Sequence, residues 1–487
     1  MLVGLVVFLV ALWAQTDAMV GVFYDDGLYV ALGKALAEGY GYVSLHLPGH
    51  PAAVHYPPLY PALLALLWKL WPDFPADVLL FKLADAAALG GAAWTLARHA
   101  RRTALPETAA LATVLLGTIA FPLLTIVGVR FSEPLFLLLF AGAVLTAERH
   151  DVGTARGAVA GLLAGLATLT RSIGLAAVVG IPWALWLRGR RRAAGAAFAV
   201  GAALAAPWWV WLARHADAVD PRLAANYGTY GQYLAQAGVS GLLGGLNFEA
   251  LSPFPRLLLP GVPTVLWYAL TVLLIAVAAV GIVTLRRKVP TLLWVLVPYV
   301  AIVVLWPYTP DRFMWILVPW LGLFLLAGAR RFWRWRAPGR IAVAVLAIAL
   351  AMGYGQREVR SLRHRGFART ARDVSAPFRY LTRGIDTAVP ADAVIGTDGE
   401  TLVYLYTGRQ TVPLLLFRLR GRATEDLGPA ATVAYFCESG VTHVATSWAG
   451  GEAASLIDGI AATGDSVLTP LFTLTDGPAL FRFRCPG

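Results

Sequence analysis

Apolar residues in this chain come in long runs separated by short polar turns, not in the one-sided stripes of a soluble fold. The pattern predicts eleven membrane spans, near 1–15, 77–97, 107–127, 131–147, 157–170, 173–187, 194–213, 263–285, 290–306, 313–328 and 340–355. Several are short for a hydrocarbon core of about 30 Å. The first has no basic leader, which favours a span over a cleaved signal peptide and leaves the true N-terminus open. Between 157 and 187, two short spans broken at Thr170–Gly174 are preferred to one long helix. A single helix would carry Arg188, Arg190, Arg191 and Arg192 to the face opposite the other cationic turns.

Three polar segments are too long to be turns: 17–76, 214–262 and 356–487. In the first, residues 27–39 have helical spacing. Leu28, Ala31, Leu32, Ala35 and Leu36 share one face, with Lys34 and Glu38 four apart on the other. Residues 58–72 are apolar, short and bounded by proline. Both stretches predict helices lying in the membrane interface, aided by Trp68 and Trp71. Reading 58–72 as a twelfth span would reverse the orientation of everything after it. From about Tyr354 the pattern changes to short alternating runs (392–397, 442–447, 478–484) with helix-like stretches at 431–440 and 453–464. The expected fold is a polytopic α-helical membrane protein of about eleven transmembrane helices (1–355), followed by a small exported α/β domain (356–487).

Composition agrees. Of 487 residues, 58% are hydrophobic and only 14% charged, where a soluble protein carries about a quarter charged. The net charge of +12 comes from clusters in the short turns: Arg98/Arg101/Arg102, Arg149/Arg156, Arg188–Arg192, Arg286–Lys288 and Arg330–Arg340. This marks membrane topology, not a nucleic-acid surface. The positive-inside rule makes those turns and the N-terminus cytoplasmic, and puts 17–76 and the C-terminal domain outside a bacterial-type inner membrane. Cys437 and Cys485 fit no metal-ligand spacing. They pair if that end is exported, or remain two thiols.

Chemistry gathers on the outer side. Asp25 and Asp26 stand next to each other after the first span. Like charges this close raise one pKa, which suits a general base; helix capping is the competing role. Arg130 and Glu133, in "RFSEPLF", sit at the mouth of the third and fourth spans, where Glu133 also fits the first turn of a helix before Pro134. Arg171 and Arg312 are isolated cations at outer span ends, and Lys82 lies one turn from Asp85. Such cations suit a phosphate if they converge, and a local pair or snorkelling if they do not. His46, His50 and His55 form no strong metal motif; His55 abuts the Tyr56-Pro57-Pro58-Leu59-Tyr60 knot. Glycine-rich 241–247 lacks the lysine and preceding strand of a phosphate loop, so a donor is expected to arrive through the bilayer.

Together these motifs resemble the GT-C glycosyltransferases, in the branch of protein O-mannosyltransferases and bacterial aminoarabinose transferases. "YDDGLY…GYGY…YPPLYP" is similar to their first outer loop, with Asp26 where Glu is usual. "RFSEPLF" resembles their second acidic site, and 166–175 the stretch where a cation ends a short span. Residues 308–328 resemble the late Arg-x6-Pro segment, and Val403–Arg409 the exported domain of bacterial members. The resemblance implies transfer of a sugar from a polyprenyl-phosphate donor to a lipid, glycan or protein hydroxyl, with inversion. Asp25 would be the base, with Asp26 and Glu133 assisting, and Arg171, Arg312, Lys82 and Arg130 would hold the phosphate. Tyr56, Pro57, Pro58 and Tyr60 would shape the loop. No cofactor is implied as required. Some members bind a divalent cation near the first loop, where this chain has His55. A transporter or flippase of lipid-linked sugars is the alternative; it would more often show internal symmetry and polar residues deep in several spans.

Overall fold

The structure is a computed structural model that describes residues 1–243, 252–306, 309–420, 423–447, 451–464, 466–474 and 477–486. Parts of the 214–262 segment, of the glycine-rich 241–247 stretch and of the motif beginning at 308 therefore lie outside the described residues. The membrane part runs α1 (Leu2–Ala14), α2 (Asp25–Ala37), α3 (Leu59–Leu70), α4 (Val78–Ala100), α5 (Glu107–Thr118), α6 (Phe121–Val127), α7 (Glu133–Ala147), α8 (Thr154–Thr170), α9 (Leu175–Leu187) and α10 (Arg191–His215). It continues through α11 (Ala224–Tyr227), α12 (Tyr230–Leu243), α13 (Pro253–Leu258), α14 (Thr264–Leu285), α15 (Pro290–Val304), α16 (Asp311–Trp315), α17 (Val318–Trp333) and α18 (Arg336–Leu350).

Each expected span carries a helix at its place. Among the described residues four stretches are long and apolar enough to cross a membrane: Val78–Thr103, Arg191–Ala218, Thr264–Leu285 and Arg336–His364. The pair α5–α6, bent by 51°, makes a fifth. Five of the remaining six expected spans are shorter apolar helices, and the sixth, 313–328, falls on α16 and α17. Val265, Val272, Ile341 and Ile348 are each more than half exposed, which a polypeptide tolerates in such numbers only against lipid.

The break expected at Thr170–Gly174 is present. α8 ends at Arg171, whose backbone is extended (φ −150°, ψ 131°), and a single 3-10 turn leads into α9. A Cβ on Gly174 would fall 2.5 Å from the backbone of Ala167 and Thr168. Glycine there lets the chain fold back against α8 and holds Arg171 in a fixed corner.

Two expectations change, one about the outer loop and one about where the C-terminal part begins. α2 is a helix with the Lys34–Glu38 pair at 4.0 Å, but its first two turns are buried on nearly all sides, from Asp26 through Gly33. It is not a one-faced helix resting on a surface. It packs on α3 and beneath the C-terminal domain, where a Cβ at Gly27 would lie 2.1 Å from Thr401 Oγ1. The change of composition near Tyr354 falls inside a helix: α18 runs on through a π turn into α19 (Gln356–His364), which stops at left-handed Arg365 (φ 49°).

The C-terminal part holds α20 (Arg369–Ala388), β1 (Val394–Thr397), α21 (Glu400–Thr407), β2 (Gln410–Pro413), β3 (Phe417–Arg420), β4 (Ala423–Asp426), α22 (Gly428–Glu438), β5 (Val441–Thr446), α23 (Gly451–Ala461), β6 (Leu468–Thr473) and β7 (Ala479–Phe483). Its five-stranded sheet has the order β2-β1-β5-β7-β6. β2, β1 and β5 are parallel, and β7 and β6 close it antiparallel. Cys437 and Cys485 form a disulfide. The domain grips the first loop: Val20 N–H donates to Tyr406 Oη (3.1 Å), Met19 N–H to Ser375 Oγ (2.8 Å) and Thr411 N–H to the His46 carbonyl (2.7 Å).

Candidate active site

Two helix N-termini meet beside the outer loop. Asp25 opens α2 and Glu133 opens α7, with Pro134 after it at the position where a missing N–H costs nothing. Each helix is entered through a left-handed non-glycine residue, Tyr24 (φ 65°) and Arg130 (φ 55°). Such strain persists only where surrounding contacts impose it.

Across from these acids lie two arginines from distant parts of the chain. Arg312 on α16 donates from Nε to Glu133 Oε1 (2.6 Å) and from Nη1 to Asp25 Oδ2. Arg171 Nη1 approaches the same Glu133 oxygen at 3.0 Å and donates to Ser132 Oγ at 3.1 Å. Aromatic faces back both cations: Arg312 lies 3.7 Å from the Phe131 ring centre and Arg171 5.0 Å from that of Phe313. Tyr56 donates to Asp25 Oδ1 at 2.6 Å. Burial pushes the Asp25 carboxyl up, but Arg312 and the Tyr56 hydroxyl outweigh it and hold the group below the ordinary carboxylate value. Asp25 is thus an ionised acceptor in the resting site.

Asp26 points the other way. It is buried and accepts backbone N–H groups of Gly21 (2.7 Å) and Phe23 (3.0 Å), tying the loop to the start of α2. Burial pushes it up to about 6 against those two bonds. The adjacent pair therefore divides between a cavity-facing carboxylate and a loop staple. Glu133, buried, is the counter-ion that draws both arginines together.

The two other candidate cations do not join them. Arg130 is buried, donates to the Gly128 carbonyl and lies within electrostatic reach of Asp26 and Asp85. Lys82 does not pair with Asp85, whose oxygens take the Tyr60 hydroxyl at 2.9 and 3.0 Å. Its nearest carboxylate is Asp17, at 3.9 Å.

A cavity of about 320 Å³ opens in front of Asp25, Arg171 and Arg312. His55, Tyr56 and Tyr230 line it, and Phe417 reaches in from the C-terminal domain. It shares Tyr56, Arg171, Tyr230 and Trp306 with an apolar slot of about 240 Å³ that continues between α9, α10, α12 and α15, past Pro57, Leu175, Ile302 and Leu305. Sequence reasoning missed the aromatic wall. The run Tyr227-Gly-Thr-Tyr230-Gly-Gln-Tyr233, crowded with rings in an otherwise plain loop, was its signal. Of the proline knot, Pro58 precedes α3 and buried Tyr60 ties it to Asp85, so the knot fixes the loop while Tyr56 enters the site.

Both Asp25 oxygens accept hydrogen bonds, from Tyr56 and from Arg312. His55 Nδ1 lies 3.0 Å from the Gly228 carbonyl and 2.8 Å from Tyr233 Oη. Among the described residues no three His, Cys, Asp or Glu side chains come together to hold a metal.

With fold and site in view, the comparisons define the class. The model of glycosyltransferase family 87 matches residues 55–307, just over half of the chain, and the chain belongs to that family. It is a multi-pass membrane glycosyltransferase. Among solved structures it is similar to ArnT from Cupriavidus metallidurans in the apo state, at 13% identity and a TM-score of 0.59, over 99% of this chain and 97% of that one. It is similar to the oligosaccharyltransferase of Archaeoglobus fulgidus, in a complex with Zn and sulfate, at 13% identity and a TM-score of 0.54, over 91% of this chain and 68% of that one. A structure of that archaeal enzyme, AglB, with an inhibitory peptide and a dolichol-phosphate matches at 12% identity and a TM-score of 0.54, over 91% and 69%. No protein of curated function matches the sequence.

Proposed function

We propose that the chain transfers a sugar from a polyprenyl-phosphate carrier to an acceptor hydroxyl, with inversion, and that Asp25 is the general base. One observation carries the reading. Arg312 bridges Asp25 and Glu133, and Arg171 holds the same Glu133 oxygen, at the head of an apolar slot. The slot suits a prenyl tail and the arginine pair its phosphate, since the planar guanidinium matches phosphate oxygens two at a time. The dolichol-phosphate bound by AglB, which shares the fold, supports this assignment. Arg130 and Lys82, which lie outside the cavity, have no part in it.

In the reaction the acceptor oxygen attacks the anomeric carbon from the face opposite the phosphate. A C–O bond forms to the acceptor as the anomeric C–O bond to phosphate breaks. The bonding pair leaves on the phosphate oxygen, where Arg171 and Arg312 stabilise it. The acceptor proton passes to Asp25. An incoming phosphate draws Arg312 towards itself, so Asp25 is less neutralised and a better base when the carrier is present. Phe417, which lines the cavity but not the slot, is on the acceptor side. The positive-inside pattern puts this cavity outside a bacterial-type plasma membrane, with the N-terminus cytoplasmic, the membrane domain within 1–355 and an exported domain from 356 on. The Cys437–Cys485 disulfide supports export of that end.

Mass spectrometry of lipid co-purified with the full chain tests the donor. A polyprenyl phosphate should accompany the wild type and be depleted at least tenfold from Arg171→Gln and Arg312→Gln. Equal retention by all three rejects the phosphate assignment.

A further inference from the structure

A second cationic cavity lies away from the reaction site and shares none of its lining residues. At about 450 Å³ it exceeds the reaction cavity. Lys82 from α4 and Arg379 and Arg383 from α20 line it, with Thr382, Tyr406 and Asp17. The arginines are four residues apart, on one face of α20, while Phe378, Leu381 and Ile385 bury its other side. Arg379, an exposed residue, is tied to the cavity wall by a hydrogen bond from Nη2 to the Asp17 carbonyl. Arg383 pairs with no carboxylate among the described residues. Among the described residues Lys82 pairs only with Asp17, at 3.9 Å, whose side chain is fully exposed; such a pair contributes little. Three cations thus face one loosely held carboxylate, and buried Arg130 adds its field from behind Lys82.

Depth identifies the occupant. The stretch Val78–Thr103, 26 residues, is about 39 Å long at 1.5 Å per residue. It overshoots a hydrocarbon core of about 30 Å by roughly one turn at each end. Lys82, in its second turn, therefore stands at the boundary between acyl chains and headgroups, with half-exposed Leu79 nearly one turn further out, on the headgroup side.

We propose that Lys82, Arg379 and Arg383 form a second phosphate site, taking the headgroup phosphate of an anionic lipid. The cavity clamps that lipid between α4 and the C-terminal domain, so bound lipid helps seat the domain on the bundle. The site is independent of the reaction assigned above.

The full chain, purified in mild detergent, is titrated with phosphatidylglycerol or phosphatidylcholine, and bound lipids are counted by native mass spectrometry. The wild type should hold one phosphatidylglycerol more than the Arg379→Gln/Arg383→Gln double variant, and prefer it to phosphatidylcholine at least fivefold. Arg171→Gln should keep that lipid while losing the carrier, which separates failure of this site from failure of the donor site. Lys82→Gln gives a second readout, with weaker phosphatidylglycerol binding expected. An unchanged count in the double variant overturns the site. Binding of inorganic phosphate alone, at millimolar concentration and undisturbed by the lipid, overturns the lipid as its source.

Discussion

At the scale of single residues, the chain shows how much of a site is visible as residue type and how little as orientation. Asp25, Glu133, Arg171 and Arg312 stood out because acids and isolated cations beside apolar runs need a reason. Nothing in the spelling Asp25-Asp26 says which carboxylate faces the cavity. That follows from the left-handed turn at Tyr24, which aims Asp26 at the Gly21 and Phe23 amides and Asp25 at Arg312. Likewise, Lys82 and Asp85 are one turn apart, yet Asp85 is taken by Tyr60 from another helix. Two predictions belong here. Glu133→Ala leaves two arginines without their shared counter-ion, and breaking a buried pair in this way costs about 3–5 kcal/mol. Thermal unfolding should show a large loss, and a melting temperature equal to wild type would refute the counter-ion role. Tyr56→Phe removes a charge-assisted hydrogen bond worth about 1.5–3 kcal/mol. Turnover should fall about tenfold or more with the carrier KM little changed; an effect on KM alone would make Tyr56 a binding residue instead.

At the scale of elements, the positions of the helices were legible and the surroundings of α2 were not. Apolar runs report the spans directly, and the cationic turns even located the break between α8 and α9. α2 read as a one-faced helix because its polar residues, Lys34 and Glu38, crowd its last turns. The turns that matter are roofed by α21, 374 residues on, through the close approach of Gly27 to Thr401. The α8–α9 corner gives a sharp test. Gly174→Ala would drive a methyl group into the α8 backbone and shift Arg171, which is reached through that corner. Carrier KM should rise at least tenfold, with overpacking costing about 1–3 kcal/mol. A normal KM would show that the corner does not set the arginine.

At the scale of the molecule, the C-terminal domain is part of the site, not an appendage: it supplies Phe417 and clamps the loop carrying Asp25. Its alternating strands were readable, but docking of this kind leaves no periodic trace. Glu400, buried where the domain meets that loop, is pushed up to about 8 by burial. An unfolded glutamate ionises near about 4.3. Between that value and about 8 the unfolded chain has lost a proton that the folded chain keeps. Stability from this group is therefore greatest below about 4.3, declines as pH rises and levels off above about 8. Glu400→Gln should flatten thermal stability across that window, and an unchanged slope would acquit Glu400. The disulfide closes a separation of 48 residues, a loop worth about 4 kcal/mol to the domain on the chain-entropy account. Cys437→Ser should loosen the domain and, through its grip on the first loop, depress transfer. The whole account rests on Asp25 as the group that takes the acceptor proton over a phosphate held by two arginines. Its most direct test is Asp25→Asn in purified membranes, measuring sugar transfer and bound carrier in the same sample. The account predicts that carrier stays bound while transfer falls at least a thousandfold; transfer near the wild-type rate would contradict it.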